Sequence, residues 1–152
     1  IAPRDAAAGL GDLYQQAERR RDGYTEERGN AALESALVAA VNRGVRVRLI
    51  TPVQVNGASP EQNNQHSASI AALVAAGVVV HTSGPEETFS QPYMHARAAL
   101  VDGRLAYVGS ISLSPDSATV NREMGLIEDD PTIVAQLGRQ FVKDFRRLTP
   151  MA

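Results

Sequence analysis

The sequence predicts an α/β fold, a mixed β-sheet with helices on both faces, and three observations predict it. Two helical stretches, each containing Ala-Leu-Val-Ala-Ala (residues 36–40 and 72–76), are each followed by glycine and a short Val-rich run. Such helix–strand pairs indicate parallel strands joined by right-handed crossovers. Asp102-Gly103 sits between two apolar runs and predicts an antiparallel hairpin, because a type I′ turn needs φ > 0 at both central residues. An amphipathic helix closes the chain, so helices are available to cover both sides of the sheet.

Taken in order, Asp5–Arg20 carries Leu10, Leu13, Tyr14 and Ala17 at helical spacing and predicts a first helix. A strand is expected at Gly23–Glu27, although the polar composition there equally fits a solvated loop. Asn30–Arg43 reads as a helix, with Asn30 as N-cap, Leu33, Leu37, Val38 and Val41 as its stripe, and Gly44 as its stop. Val45–Thr51 then reads as a strand with Val45, Val47 and Leu49 on one face and Arg46 and Arg48 on the other. Val53–Asn63 reads as a loop, Asn64–Ala76 as a helix and Val78–Thr82 as a strand. Ser83–Pro92 is a polar loop, and Ser112–Val120 reads as a surface loop. Asn121–Glu128 predicts a strand. Asp130 and Pro131 open a last helix to about Leu148, its stripe Ile133, Val134, Leu137, Phe141 and Phe145.

The 152 residues suit one domain, 1–152. Hydrophobic content of 43% and charged content of 21% fit a globular chain. No apolar run reaches the length of a transmembrane segment. Cysteine is absent, which excludes disulfides and thiolate metal sites. Fifteen basic against seventeen acidic residues give a net charge of −2, without the basic footprint of a general nucleic-acid binder. No HExxH, Walker A or GxGxxG sequence occurs, so no metal or cofactor is expected. The chain opens at Ile1 rather than Met, as a processed or trimmed product does.

The hairpin gathers the chemistry. A two-residue Asp102-Gly103 loop sets Val101 opposite Arg104, Ala99 opposite Ala106, Arg97 opposite Val108 and His95 opposite Ser110. Directly opposed residues share a face, so an imidazole, a guanidinium and a hydroxyl are expected side by side. Imidazole serves as nucleophile or proton donor near neutral pH, and arginine clamps phosphate bidentately. Ser110 and Ser112 alternate with Ile111 and both line the site if the strand stays extended. Gly109 allows close backbone approach or a bulge. Asp102 and Gly103 lie at the far turn and read as structural. His66 and His81 have no comparable partners.

His95-x-Arg97-x4-Asp102-x6-Gly109-Ser110 resembles the H-x-K-x4-D-x6-G-S-x-N motif of the phospholipase D superfamily. Arg97 stands where that family has lysine, and Ser112 where it has asparagine. The resemblance covers most of the chain, from about Asn30 to Leu148, and implies a phospholipase D-like α/β/α sandwich. It implies an enzyme, a phosphodiester hydrolase or transferase needing no cofactor, in which His95 attacks phosphorus and forms a phosphohistidine. Arg97 and Ser110 would hold the phosphate, with Ser112 beside them. Asn121-Arg122-Glu123 resembles the family's downstream N-x-E segment, so Glu123 would orient His95. A second histidine must protonate the leaving group. One motif per chain therefore implies a homodimer or a second phospholipase D-like domain in a longer protein. The substrate expected is a phosphodiester, a phospholipid in a phospholipase- or cardiolipin-synthase-like reaction, or nucleic acid in a nuclease. A silent phosphate-binding or dimerisation domain is the alternative from another class.

Overall fold

The computed structural model describes residues 20–24, 31–84, 93–112 and 120–151. The helix expected over Asp5–Arg20 lies outside the described residues except at Arg20. The described elements are β1 (Arg20–Tyr24), α1 (Ala31–Asn42), β2 (Arg46–Pro52), α2 (Pro60–Ala75), β3 (Val79–Ser83), β4 (Ala98–Val101), β5 (Leu105–Gly109), β6 (Gly125–Glu128), α3 (Pro131–Arg147) and β7 (Thr149–Pro150). The strands form one sheet in the order β6-β5-β4-β1-β2-β3-β7. β1, β2 and β3 run parallel, while β4, β5, β6 and β7 pair antiparallel with their neighbours.

Each helix forms because its apolar residues recur on one stripe, and the first turns of α2 and α3 are capped; Asn30, expected to cap α1, lies outside the described residues. Leu33, Leu37 and Ala40 are the buried stripe of α1. In α2, His66, Ile70 and Leu73 take the corresponding positions. Ser59 caps α2: its Oγ accepts the Gln62 N–H at 3.2 Å, and Gln62 Oε1 accepts the Ser59 N–H at 2.8 Å. Pro60 supplies a preset φ at the first helical position. Asp130 caps α3 by accepting from Thr132 N at 2.8 Å and Ile133 N at 3.1 Å. Gly44 and Gly77 follow α1 and α2 at φ of 87° and 96°, where a side chain is strained.

Two apolar layers sandwich the sheet. α1 and α2 pack on Val45, Val47, Leu49, Val80, Ala99 and Tyr107. On the other face, Ile50, Leu100 and Ala106 pack against Val134, Phe141 and Phe145 of α3. The alternation along β2 decides which side faces which layer. Arg48, on the α3 side, lies 5.1 Å from both the Phe141 and Phe145 ring centroids, a cation–π arrangement that covers its charge. His81 stacks on Phe145 at 3.7 Å, and its Nδ1 donates to the Phe145 carbonyl at 2.6 Å.

Several boundaries differ from the sequence reading. β1 begins three residues earlier than expected and is the central strand, paired on both sides. Main-chain pairing with β2 and β4 decides it there. α2 begins at Pro60 rather than 64, because the capping box lies inside the polar stretch read as a loop. β6 is confined to Gly125–Glu128, and β7 adds a two-residue edge that composition does not announce.

Candidate active site

The parallel strands end on the same side of the sheet at which β4 begins, since Ala98 lies beside Tyr24, and Tyr24 beside Ile50. Ligands in open α/β sheets bind outside these carboxyl ends. The segment before β4 is fastened there by two loops. Met94 N donates to Ser83 Oγ, beyond which β3 ends, at 3.3 Å. Tyr93 Oη accepts the Asn56 N–H from the β2–α2 loop at 3.1 Å. The Tyr93 and His95 ring centroids are 6.3 Å apart at 43°.

His95 is exposed and Arg97 half-buried. Arg97 Nη1 lies 3.2 Å from His95 Nδ1 and donates to the His95 carbonyl at 3.1 Å. A guanidinium has donors only, so this contact is a hydrogen bond in the tautomer that carries its proton on Nε2, with Nδ1 as acceptor. The predicted imidazole–guanidinium pair therefore forms between neighbours on one segment.

Ser110 does not stand opposite His95. The hairpin turn itself is the expected one, with Asp102 and Gly103 at φ of 54° and 68° and Arg104 N bonded to Val101 O at 3.0 Å. The ladder, however, resumes one residue later: Val101 pairs with Leu105, Ala99 with Tyr107 and Ala98 with Val108. Arg104 is left over, as an extra residue in a bulge is. The offset brings Gly109 beside Arg97, with Gly109 N donating to Arg97 O at 3.1 Å. One-residue slips exchange the faces of a strand, and Ser110 turns to the β6 side. There its Oγ donates to Glu123 Oε2 and accepts Met124 N at 3.0 Å, while Ser110 N donates to Met124 O at 2.9 Å. The alternation expected of Ser110 and Ser112 also fails, since β5 ends at Gly109. Ser110 is exposed, and Ser112 is buried next to Ile111.

Two pairs thus border one edge of the sheet, His95 with Arg97 and Ser110 with Glu123, coupled through the Gly109–Arg97 bond. Asp102 and Gly103 lie at the opposite end, as the hairpin required. Sequence reasoning missed Tyr93, Ser83 and Tyr107. Tyr107 fills the space over both Gly109 and Gly125, where an added Cβ would come within 2.2 Å of it. Its hydroxyl also accepts the buried Ile111 N–H at 3.3 Å. A glycine two residues after an aromatic on a strand was the available signal, since i and i+2 share a face. Among the described residues no group of three or more His, Asp or Glu side chains could hold a metal ion, and no helix is long and apolar enough to cross a membrane.

The family model described as "Cardiolipin synthase, PLD-like domain" matches residues 12–145. The chain belongs to the phospholipase D superfamily. This phospholipase D-like chain is 34% identical over 119 residues to the mitochondrial cardiolipin hydrolase of Xenopus tropicalis, a match covering 78% of the chain and 51% of that protein. It is 31% identical over 104 residues to cardiolipin synthase A of Erwinia tasmaniensis, covering 68% of the chain and 20% of that protein. It spans about half the length or less of these relatives. The fold matches the crystal structure of a phospholipase D family member, Nuc from Salmonella typhimurium, with a TM-score of 0.77 at 21% identity, covering 96% of this chain and 90% of that one. NucT from Helicobacter pylori gives 0.80 at 18% identity, covering 98% and 92%.

Proposed function

We propose that this phospholipase D-like chain carries half of a phosphodiesterase or phosphatidyltransferase site that acts on a phospholipid through phospho-His95. The observation that carries the reading is the His95–Arg97 pair at the carboxyl edge of the sheet, with the guanidinium 3.2 Å from the imidazole. The cardiolipin hydrolase and synthase relatives support the substrate class.

The reaction divides between two imidazoles. His95 Nε2 attacks phosphorus as the P–O bond to the leaving group breaks. A second histidine, from a partner copy or another domain, gives that oxygen its proton. Water or an alcohol then attacks the phosphohistidine, the P–N bond breaks, and the hydrolysed or transferred phosphodiester leaves. Phosphoryl transfer asks the protein chiefly for positioning and charge neutralisation, which Arg97 supplies.

Arg97 has a further consequence in this reading. Its contact to Nδ1 favours the tautomer protonated on Nε2, which is poised to donate a proton rather than to attack. An arriving phosphate draws the guanidinium to its non-bridging oxygens, because a charged acceptor is the stronger partner. Nδ1 is then released, the ring's one proton passes by way of solvent from Nε2 to Nδ1, which frees the Nε2 lone pair for attack, and Nδ1–H donates to a carboxylate, the role that Glu123 has in this reading.

The test is a chemical trap. The protein is quenched during turnover of cardiolipin vesicles, and in parallel of a DNA substrate, and acid-labile phosphate is mapped. Phosphate on His95, lost with turnover in His95→Ala, is expected with the lipid. An active His95→Ala protein overturns the mechanism. Labelling by DNA alone makes the chain a nuclease. No labelling by either, even in Arg97→Lys/Ser112→Asn, makes it a silent domain.

A further inference from the structure

β6 ends the sheet on the side nearest the site, and its composition is unusual for an edge strand. Edges are ordinarily blunted by lysine, proline or covering structure. Here Met124 and Leu126, which alternate on one face, are 80% and 71% exposed, and Ile127 on the other face is 55% exposed. The main chain is directed outward as well. Met124 N and O both turn inward to Ser110. By the alternation of an extended strand, the N–H and C=O of Gly125 and Ile127 turn away from β5.

We propose that the edge formed by residues 122–128, β6 with the three residues before it, pairs with itself: a second copy of this chain adds the same segment antiparallel across a two-fold axis at Gly125. One face of the edge is complementary to its own reverse. In that register Met124 lies opposite the other copy's Leu126, and Arg122 opposite its Glu128, on one face. On that face apolar residues meet apolar ones and the charges meet their opposites, as a two-fold contact requires, while on the other face Glu123 lies opposite Ile127. Gly125 and Ile127 take the hydrogen-bonded positions, which the outward groups fit. Glu128 Oε1 accepts Asp129 N at 3.1 Å and Asp130 N at 2.9 Å, which fixes its carboxylate at the strand end.

This surface is distinct from the contact that would complete the site, and the proposal does not rest on the chemistry assigned to His95. Arg97 precedes β4, two strands inward from β6. Strand spacing alone then holds the two Arg97 residues roughly 24 Å apart. Pairing through β6 leaves the carboxyl edges of both sheets open.

Solution mass and a disulfide test it. In light scattering after size exclusion, Leu126→Lys is expected to lower the mass of the assembly, to one chain where the edge is the sole contact and to two where a second contact remains. The chain has no cysteine, so Met124→Cys/Leu126→Cys reads the register directly. Opposed positions of a non-hydrogen-bonded pair lie within disulfide reach, and oxidation is expected to give a covalent dimer. Leu126→Cys alone is not expected to cross-link. A wild-type mass of one chain, an unchanged mass in Leu126→Lys, or cross-linking by the single cysteine but not by the pair overturns the proposal.

Discussion

The Tyr107 ring lies where Gly125 would carry its Cβ, with ring atom Cε2 2.2 Å from that position. The two residues belong to adjacent strands, and Gly109 stands between them in the same relation to the ring. An aromatic covering glycines of a strand pair excludes water where they have no side chain of their own. The Tyr107 hydroxyl reaches Ile111 N, so the ring fastens both ends of the segment that holds Ser110.

Gly125→Ala is therefore expected to lose about 1–3 kcal/mol, the usual cost of overpacking a filled site. A urea titration checks it: the midpoint falls and the slope stays constant. Gly138→Ala is the control, because nothing lies within 4 Å of its Cβ position, and alanine favours the helix. Equal midpoints for Gly125→Ala and wild type would mean that the ring moves aside freely.

His66 makes a second case in which a polar group carries the fold. It is buried, and its Nε2 donates to the Pro52 carbonyl at 2.8 Å, joining α2 to the end of β2. His66→Leu keeps the bulk but strands that carbonyl, and a loss of about 1–3 kcal/mol is expected. Thermal melts of His66→Leu and His66→Gln separate the explanations. Gln offers a donor, and recovery by Gln assigns the loss to the hydrogen bond rather than to shape.

Ser59 opens α2, and both halves of its reciprocal cap are formed. Ser59→Ala is expected to cost about 1 kcal/mol, and Ser59→Asp to restore most of it. Equilibrium unfolding followed by circular dichroism distinguishes the two variants. A neutral alanine variant would show that packing alone sets the start of α2.

That cap also shows what was legible in the sequence and what was not. Ser59-Pro60-Glu61-Gln62 carries a complete start signal, yet its polar surroundings read as loop, because composition averages over the one spacing that matters. Helices with a clear stripe and a glycine stop were read to within two residues in α1 and at the close of α2, since both signals are local. The Asp102-Gly103 turn was legible for the same reason. Its register was not, because one unpaired residue, Arg104, changes every partner beyond it without leaving a mark in composition. β1 was misplaced because a central strand whose sequence includes Arg20, Arg21 and Asp22 depends on pairing with β2 and β4, which lie far away in the chain. At the site, adjacency in sequence made His95 and Arg97 readable, whereas the Ser110–Glu123 bond depends on the offset.

Arg97 is the most direct handle on the proposed chemistry. Its guanidinium contacts the His95 ring without substrate and, in the proposed reaction, the phosphate oxygens with it. Arg97→Ala removes a preorganised donor and is expected to lower kcat by about 100–1000-fold. The same change also frees Nδ1 of the imidazole from a competing donor, which offsets part of the loss; what remains should appear more in kcat than in KM, because the donors act on charge that develops in the transition state. Arg97→Lys keeps a point charge but not the paired donors and should fall between Arg97→Ala and wild type. Steady-state kinetics on cardiolipin vesicles, with phosphodiester product measured directly, give the split. A fall in apparent affinity with kcat unchanged would make Arg97 a binding residue only, and the tautomer assigned to His95 would then have no part in the rate.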